Sequence, residues 1–152
     1  MHKLDVFFYA KICDTLFSME KDEKLKNIRH TLAHLLAQAT LEHYPNTKLT
    51  LGPSIDNGFY YDFDFGTEKI SNEDLSKLEK TMLKNLSKWT GFSHKEVSFE
   101  DASNLFSNNP YKLELIEEIK NRGEKITLYT CGDFTDLCRG GHVENPAKDI
   151  PS

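Results

Sequence analysis

At 152 residues, with 28% of them charged and a formal net charge of -5, the chain suits one globular domain large enough to bury a real core. That balance excludes a protein that grips nucleic acid by bulk positive charge, so any such contact has to be local. Three cysteines, an odd number without framework spacing, exclude a disulfide scaffold and fit a reducing compartment such as the cytoplasm.

In chain order, residues 1–18 carry an apolar patch from Val6 to Ala10 that Asp5, Lys11 and Asp14 interrupt too often for a membrane-spanning helix. The patch also lacks the basic start and unbroken apolar core of a secretory signal, so no membrane partner is expected. Met19 opens the charged run that ends at Lys24, which divides the chain into an amino-terminal extension, 1–18, and a domain over 19–152. The extension reads as a strand, a tail or a start-site artefact.

From Asn27 to about Tyr44, Leu32, Leu35, Leu36, Ala39 and Leu41 recur at helical spacing until Pro45 stops the pattern. Lys48 to Leu51 and Phe59 to Phe65 read as strands joined through Gly52-Pro53 and the turn residues Asp56-Asn57-Gly58. In the second of these Phe59, Tyr61, Phe63 and Phe65 share one face, fit for a core or for the floor of a pocket. Ser71 and Asp74 have capping-box spacing, and Leu75, Leu78, Met82, Leu86 and Trp89 then form an apolar stripe on a second helix. Its other side carries Lys77, Lys80, Lys84 and Lys88, a ridge that is ordinarily a solvated face and would otherwise contact RNA phosphates. A strand from Phe92 to Phe99, a short helix to Phe106, a helix from Tyr111 to Arg122 ended by Gly123, and strands at 125–130 and 134–137 complete the pattern. Without regular βαβ alternation this predicts an α+β domain, an antiparallel-rich sheet with helices packed on one face.

The chemistry concentrates in two stretches. His30 and His34, four apart on one helix, leave the same face one turn apart, and Cys138 and His142 stand four apart in a glycine-loosened segment. A single histidine among leucines is ordinarily a satisfied core residue. A His/His/Cys/His set, in contrast, can hold a tetrahedral metal or supply acid and base groups around a water. Cys131 and Cys138 lack the short Cys-x-x-Cys spacing of a redox pair.

Arg-His-Thr-Leu-Ala-His-Leu-Leu at 29–36, Gly-Pro-Ser-Ile-Asp-Asn-Gly-Phe-Tyr-Tyr-Asp-Phe-Asp at 52–64 and Asp-Leu-Cys-Arg-Gly-Gly-His-Val at 136–143 together resemble the editing domain of bacterial threonyl-tRNA synthetases. This is the second-additional-domain fold shared with alanyl-tRNA synthetases and their trans-editing relatives, and the resemblance covers roughly residues 22 to 148. It implies hydrolysis of the ester in tRNA(Thr) wrongly charged with serine. Such a step is needed because a pocket that accepts threonine can penalise the loss of one methyl by only about 1–3 kcal/mol.

The same resemblance implies His30, His34, Cys138 and His142 as the catalytic quartet, with Tyr61, Lys112 and Asp136 as substrate-binding positions. A water near His30 and Cys138 would attack the ester, Asp136 would orient the substrate amine, and Lys112 would steady negative charge or the terminal ribose. By pattern alone, Lys112 reads as a surface lysine at a helix start, Asp136 as a turn carboxylate and Tyr61 as a core aromatic. The threonyl type implies no required cofactor, whereas the alanyl branch binds zinc on the four matching residues. Gly141 departs from the proline usual in threonyl members. The chain ends where a synthetase would continue into its aminoacylating and anticodon-binding parts. A free-standing editing protein serving a separate threonyl-tRNA synthetase, an excised domain or a fragment is therefore expected, without aminoacylation of its own. The rival readings are a zinc-dependent alanyl-type deacylase and a non-catalytic docking remnant.

Overall fold

Helix α1 (Leu4–His43) is the spine on which the other elements pack. The computed structural model describes residues 4–151, and the side chains of residues 20–151. Its second half pairs leucines with small residues: Ala33, Ala37, Ala39, Thr31 and Thr40 are fully buried and Leu35 nearly so, which lets neighbours approach the helix closely. Those neighbours are the second helix, a small hairpin and the last helical turn of the chain. The sequence predicts helix only from Asn27, and reads the extension as a strand or tail. Instead α1 starts at Leu4 and passes Met19 unbroken, because no glycine or proline stands between 4 and 44 and the run from Met19 to Lys26 is rich in helix-forming Glu and Lys.

Beyond Pro45 the chain forms β1 (Lys48–Leu49), β2 (Ser54–Ile55), β3 (Gly58–Phe59) and β4 (Phe63–Asp64). β1 pairs antiparallel with β4, and β2 with β3 across the Asp56-Asn57 turn. The long strands expected at 48–51 and 59–65 are thus broken into short ladders. Pro53 has no N–H to give, and its carbonyl accepts only a stretched 3.5 Å bond from Tyr60 N–H. The expected alternation survives: Tyr61 stacks on Phe63 at 5.1 Å and is buried, while Tyr60 faces solvent.

Helix α2 (Asn72–Leu86) starts where Ser71 N–H and Oγ–H both donate to Asp74 Oδ2, at 2.9 and 2.7 Å. Leu78, Leu86 and Trp89 are buried as the stripe requires, whereas Leu75 at its start is exposed. β5 (Ser93–Val97), β6 (Ile126–Cys131) and β7 (Phe134–Leu137) form an antiparallel sheet in the order β5-β6-β7. Every strand pair among the described residues is antiparallel. With helices alongside, the architecture is α+β. α3 (Phe99–Leu105) and α4 (Pro110–Asn121) pack Ala102 and Ile116 against Ile126 of β6. Asn109 caps α4 and also donates from Nδ2 to the Leu49 carbonyl at 2.8 Å, fixing that helix to β1. The short α5 (Pro146–Asp149), unforeseen in the sequence, is held by Ala147 N–H donating to the Trp89 carbonyl at 2.9 Å. No helix among the described residues is long and apolar enough to cross a membrane.

Leu35 sits at the centre of the main cluster, 1% exposed. Leu35→Ala is expected to cost about 2–5 kcal/mol in urea unfolding, through lost burial and the cavity left behind. A loss below about 1 kcal/mol would show that α1 is not the spine.

Candidate functional site

Helical spacing on α1 brings His30 and His34 one turn apart, their Nε2 atoms 3.2 Å from each other. From the far end of β7, Cys138 Sγ reaches 3.5 Å from His30 Nε2 and 3.4 Å from His142 Nε2. The four side chains expected from the sequence are therefore one cluster. The return of His142 over Cys138 needs Gly140 and Gly141, with φ of 94° and 85°. A Cβ on Gly140 would stand 2.6 Å from Tyr129 Oη, and proline cannot adopt the φ of Gly141.

Behind the quartet lies Asp136, 2% exposed. Lys112 Nζ meets its Oδ1 at 2.6 Å, and Leu137 N–H donates to the same oxygen at 2.8 Å. Tyr61 Oη–H donates to Oδ2 at 2.5 Å, and His34 Nδ1 lies 3.4 Å from it. A carboxylate offers about four lone-pair sites. All are taken, leaving none for a substrate amine. Lys112 is 1% exposed, far from the surface lysine that pattern suggests, and also donates to Tyr61 Oη at 3.3 Å.

Electrostatics follow from this packing. Burial opposes charge on Asp136, but Lys112 and His34 outweigh it and hold its carboxyl well below the usual range. Burial, reinforced by the Asp136 charge, pushes the Tyr61 phenol far up, so it stays a neutral donor. At His34 burial again works against the cation, yet hydrogen bonds to Asp136 and Cys138 raise it to about 9. At Cys138 burial disfavours the thiolate, yet hydrogen bonds from His142, His30 and His34 bring the thiol down to about 4. Burial lowers the pKa of His142. Cys131 is a core residue whose Sγ–H donates to the Gly91 carbonyl at 3.0 Å.

Three of the quartet, His30, His34 and Cys138, line a cavity of about 620 Å³ together with Tyr61, Lys112 and Asp136, whereas His142 lines a separate pocket with Phe92 and Tyr129. None of Lys77, Lys80, Lys84 and Lys88 lines the cavity, and Lys77 instead pairs with Asp74 at 2.9 Å.

Comparison with known proteins finds bacterial threonine-tRNA ligases. The chain is 49% identical over 130 residues to the threonine-tRNA ligase of Thermotoga petrophila, covering 84% of this chain and 20% of that protein. It is 48% identical over 127 residues to the enzyme of the same name from Staphylococcus aureus strain JH9, covering 84% and 19%, and 47% identical over 124 residues to that of Lactococcus lactis, covering 82% and 19%. The chain thus matches one segment of bacterial threonine-tRNA ligases. It spans about a fifth of the length of these relatives. No family model matches it.

Whether the quartet can hold a metal is testable on its geometry. Zinc bonds of about 2.0–2.1 Å to nitrogen and 2.3 Å to sulfur give tetrahedral edges of about 3.3–3.4 Å between nitrogens and 3.5–3.6 Å between nitrogen and sulfur. Three of the six donor separations, 3.2, 3.4 and 3.5 Å, match these edges, and all four donor atoms lie within 4.8 Å of one another. Two far-side contacts aim the ring nitrogens inward: His30 Nδ1–H donates to the Gly141 carbonyl at 3.0 Å, and His34 Nδ1 faces Asp136. His30, His34, Cys138 and His142 could therefore hold a metal ion.

Two supporting residues escaped sequence reading. Phe92 lies face to face on His142, centroids 4.0 Å apart and planes 11° apart, and Tyr129 stands 5.0 Å from the same ring. Nothing in their spacing separates them from ordinary sheet aromatics.

In protein stripped of metal, the histidines around Cys138 should keep it a thiolate. Alkylation of Cys138 by iodoacetamide, followed by mass spectrometry, should be nearly as fast at pH 6 as at pH 8 and half-maximal near pH 4. A profile still climbing through pH 8 would refute the ion pair.

Proposed function

We propose that this chain hydrolyses the ester of tRNA(Thr) wrongly charged with serine. What supports the reading is the convergence of His30, His34 and Cys138 with the Asp136–Lys112–Tyr61 group on one cavity, in a chain that matches a segment of threonine-tRNA ligases. The substrate ester would enter with its terminal ribose towards Lys112 and its carbonyl over Cys138. A water beside His30 Nε2 and Cys138 Sγ, which touch each other at 3.5 Å, attacks that carbonyl, and Cys138 takes its proton. His34, protonated and braced by Asp136, disfavours a second positive charge on His30 and steadies the Cys138 thiolate before the step. The Lys112 ammonium, fixed before substrate arrives, faces the charge that forms on the carbonyl oxygen. Asp136 acts by holding Lys112, Tyr61 and His34 in place, in place of the contact to the substrate amine expected from sequence.

A second reading is zinc-dependent hydrolysis, favoured by the tetrahedral edge lengths. Bound zinc would supply Lewis-acid polarisation of the ester. The partners under either reading are charged tRNA and, if the chain acts in trans, a separate threonyl-tRNA synthetase.

Hydrolysis of seryl- and threonyl-tRNA(Thr), with and without chelator, tests both. Turnover of the seryl ester is expected, with loss of about a hundredfold or more in His30→Ala or Cys138→Ala. Chelator-sensitive turnover with stoichiometric metal would select the zinc reading. Absence of turnover from a folded chain, metal-free and zinc-loaded, would leave the docking remnant.

A further inference from the structure

Besides Lys112, four cations line the cavity: Lys26, Arg122, Lys125 and Arg139. Asp136 is its one lining carboxylate among the described residues, and its charge is already committed to Lys112 and His34. Carboxylates outside the lining answer most of the four cations: Lys125 Nζ meets Glu96 Oε2 at 2.8 Å, and Arg122 Nη1 lies 3.7 Å from Glu118 Oε2. Two of the four meet on a single anion. Arg122 Nε reaches Glu124 Oε1 at 2.9 Å, and the Arg139 guanidinium takes Glu124 Oε2. The chain builds this fork from separate places: Arg122 is the C-cap of α4, the Gly123 turn swings Glu124 back over it, and Arg139 follows Cys138 directly.

Two guanidinium groups closing on one small anion is the arrangement that recognises phosphate as well as carboxylate. The present occupant is weakly held. Arg139 is 69% exposed and Glu124 40%, and exposed ion pairs of this kind are weak because water competes for both partners. An incoming phosphodiester, with one negative charge like Glu124 and two free oxygens for the fork, can compete with it.

We propose that Arg122 and Arg139 clamp the 5′-phosphate of the nucleotide that bears the ester, Glu124 occupying the fork until that phosphate replaces it. The identity of the substrate rests on the hydrolase reading above; the clamp itself rests on the fork. In a 3′-terminal nucleotide the ester and the 5′-phosphate are separated by the width of one ribose. Arg122, Arg139 and the Cys138 thiol line the same cavity. Recognition through this phosphate would be indifferent to base and would register the substrate along the cavity.

The test is direct binding of adenosine and of adenosine 5′-monophosphate to the full chain, by NMR titration at low salt. The monophosphate should bind about tenfold more tightly than adenosine, as expected for hydrogen bonds to a charged group. Arg122→Ala/Arg139→Ala should bring the ratio close to one, and Glu124→Gln, which removes the competitor, should widen it. Equal binding of the two ligands by the unaltered chain overturns the clamp, as does a ratio that survives the double substitution or shrinks in Glu124→Gln. Because no turnover is required, the two proposals fail separately. Seryl-ester hydrolysis with equal ligand binding overturns the clamp alone, whereas phosphate-dependent binding without hydrolysis supports the clamp and refutes the hydrolase.

Discussion

The ion pair between Asp136 and Lys112 sets the terms for the rest of the site. Both side chains are at least 98% buried, and moving such charges out of water costs several kcal/mol each even after relaxation. Only saturation of the carboxylate makes that tolerable. Lys112 comes from α4, Tyr61 from the chain between β3 and β4, and His34 from α1, while the fourth donor is the neighbouring Leu137 amide. Each donor fixes the position of its own element relative to β7. The carboxylate thus serves as the joint at which helix, sheet and hairpin agree on their registers, and removing one partner would leave a buried charge uncompensated.

From that joint the electrostatics run outward in one direction. Asp136 favours a proton on His34, and the cationic His34 in turn favours the thiolate of Cys138. A zinc ion would exploit the same arrangement differently. It would be held by His30, His34, Cys138 and His142, and Asp136 would then raise the basicity of His34 as a ligand. One geometry thus serves a proton or a metal, which is why ring and thiol positions alone do not choose between the two forms of hydrolysis. The choice lies in which cation competes better for four donors already held at coordination distance.

The sequence made the periodic features legible because local rules govern them. Four-residue spacing placed His30 beside His34, alternation put Tyr61 inside and Tyr60 outside, and Gly123 ended α4 where expected. Features that depend on a distant partner were not legible from pattern. A lysine at a helix start looks like a surface residue, and only its 2.6 Å contact with Asp136, on a different element, explains its burial. Resemblance to a family singled out Lys112 where periodicity could not. The amine role given to Asp136 had the same weakness, since the number of donors around a carboxylate is a property of the folded chain. Phe92 behind His142 and the fork at Glu124 belong to this class too. The early start of α1 is another matter: mixed charge and apolar residues hid a helix that the absence of glycine and proline permits.

The distribution of charge shows how an acidic protein could still attract a polyanion. Lysines along α2 form a regular ridge, but they face solvent and line no cavity, so their field is screened within about 10 Å at ordinary salt. The cations at the cavity act across a confined, partly apolar space in which fields are focused and the one carboxylate is already spent. Position therefore outweighs number: a few cations beside the reactive thiol can orient a ligand that a longer ridge elsewhere would only loosely attract. Glu124 fits this economy, because an internal carboxylate in the fork keeps two arginines from repelling each other while no ligand is bound. The acidic surface elsewhere then limits unspecific association, and affinity for an anion is confined to the place where its ester could react.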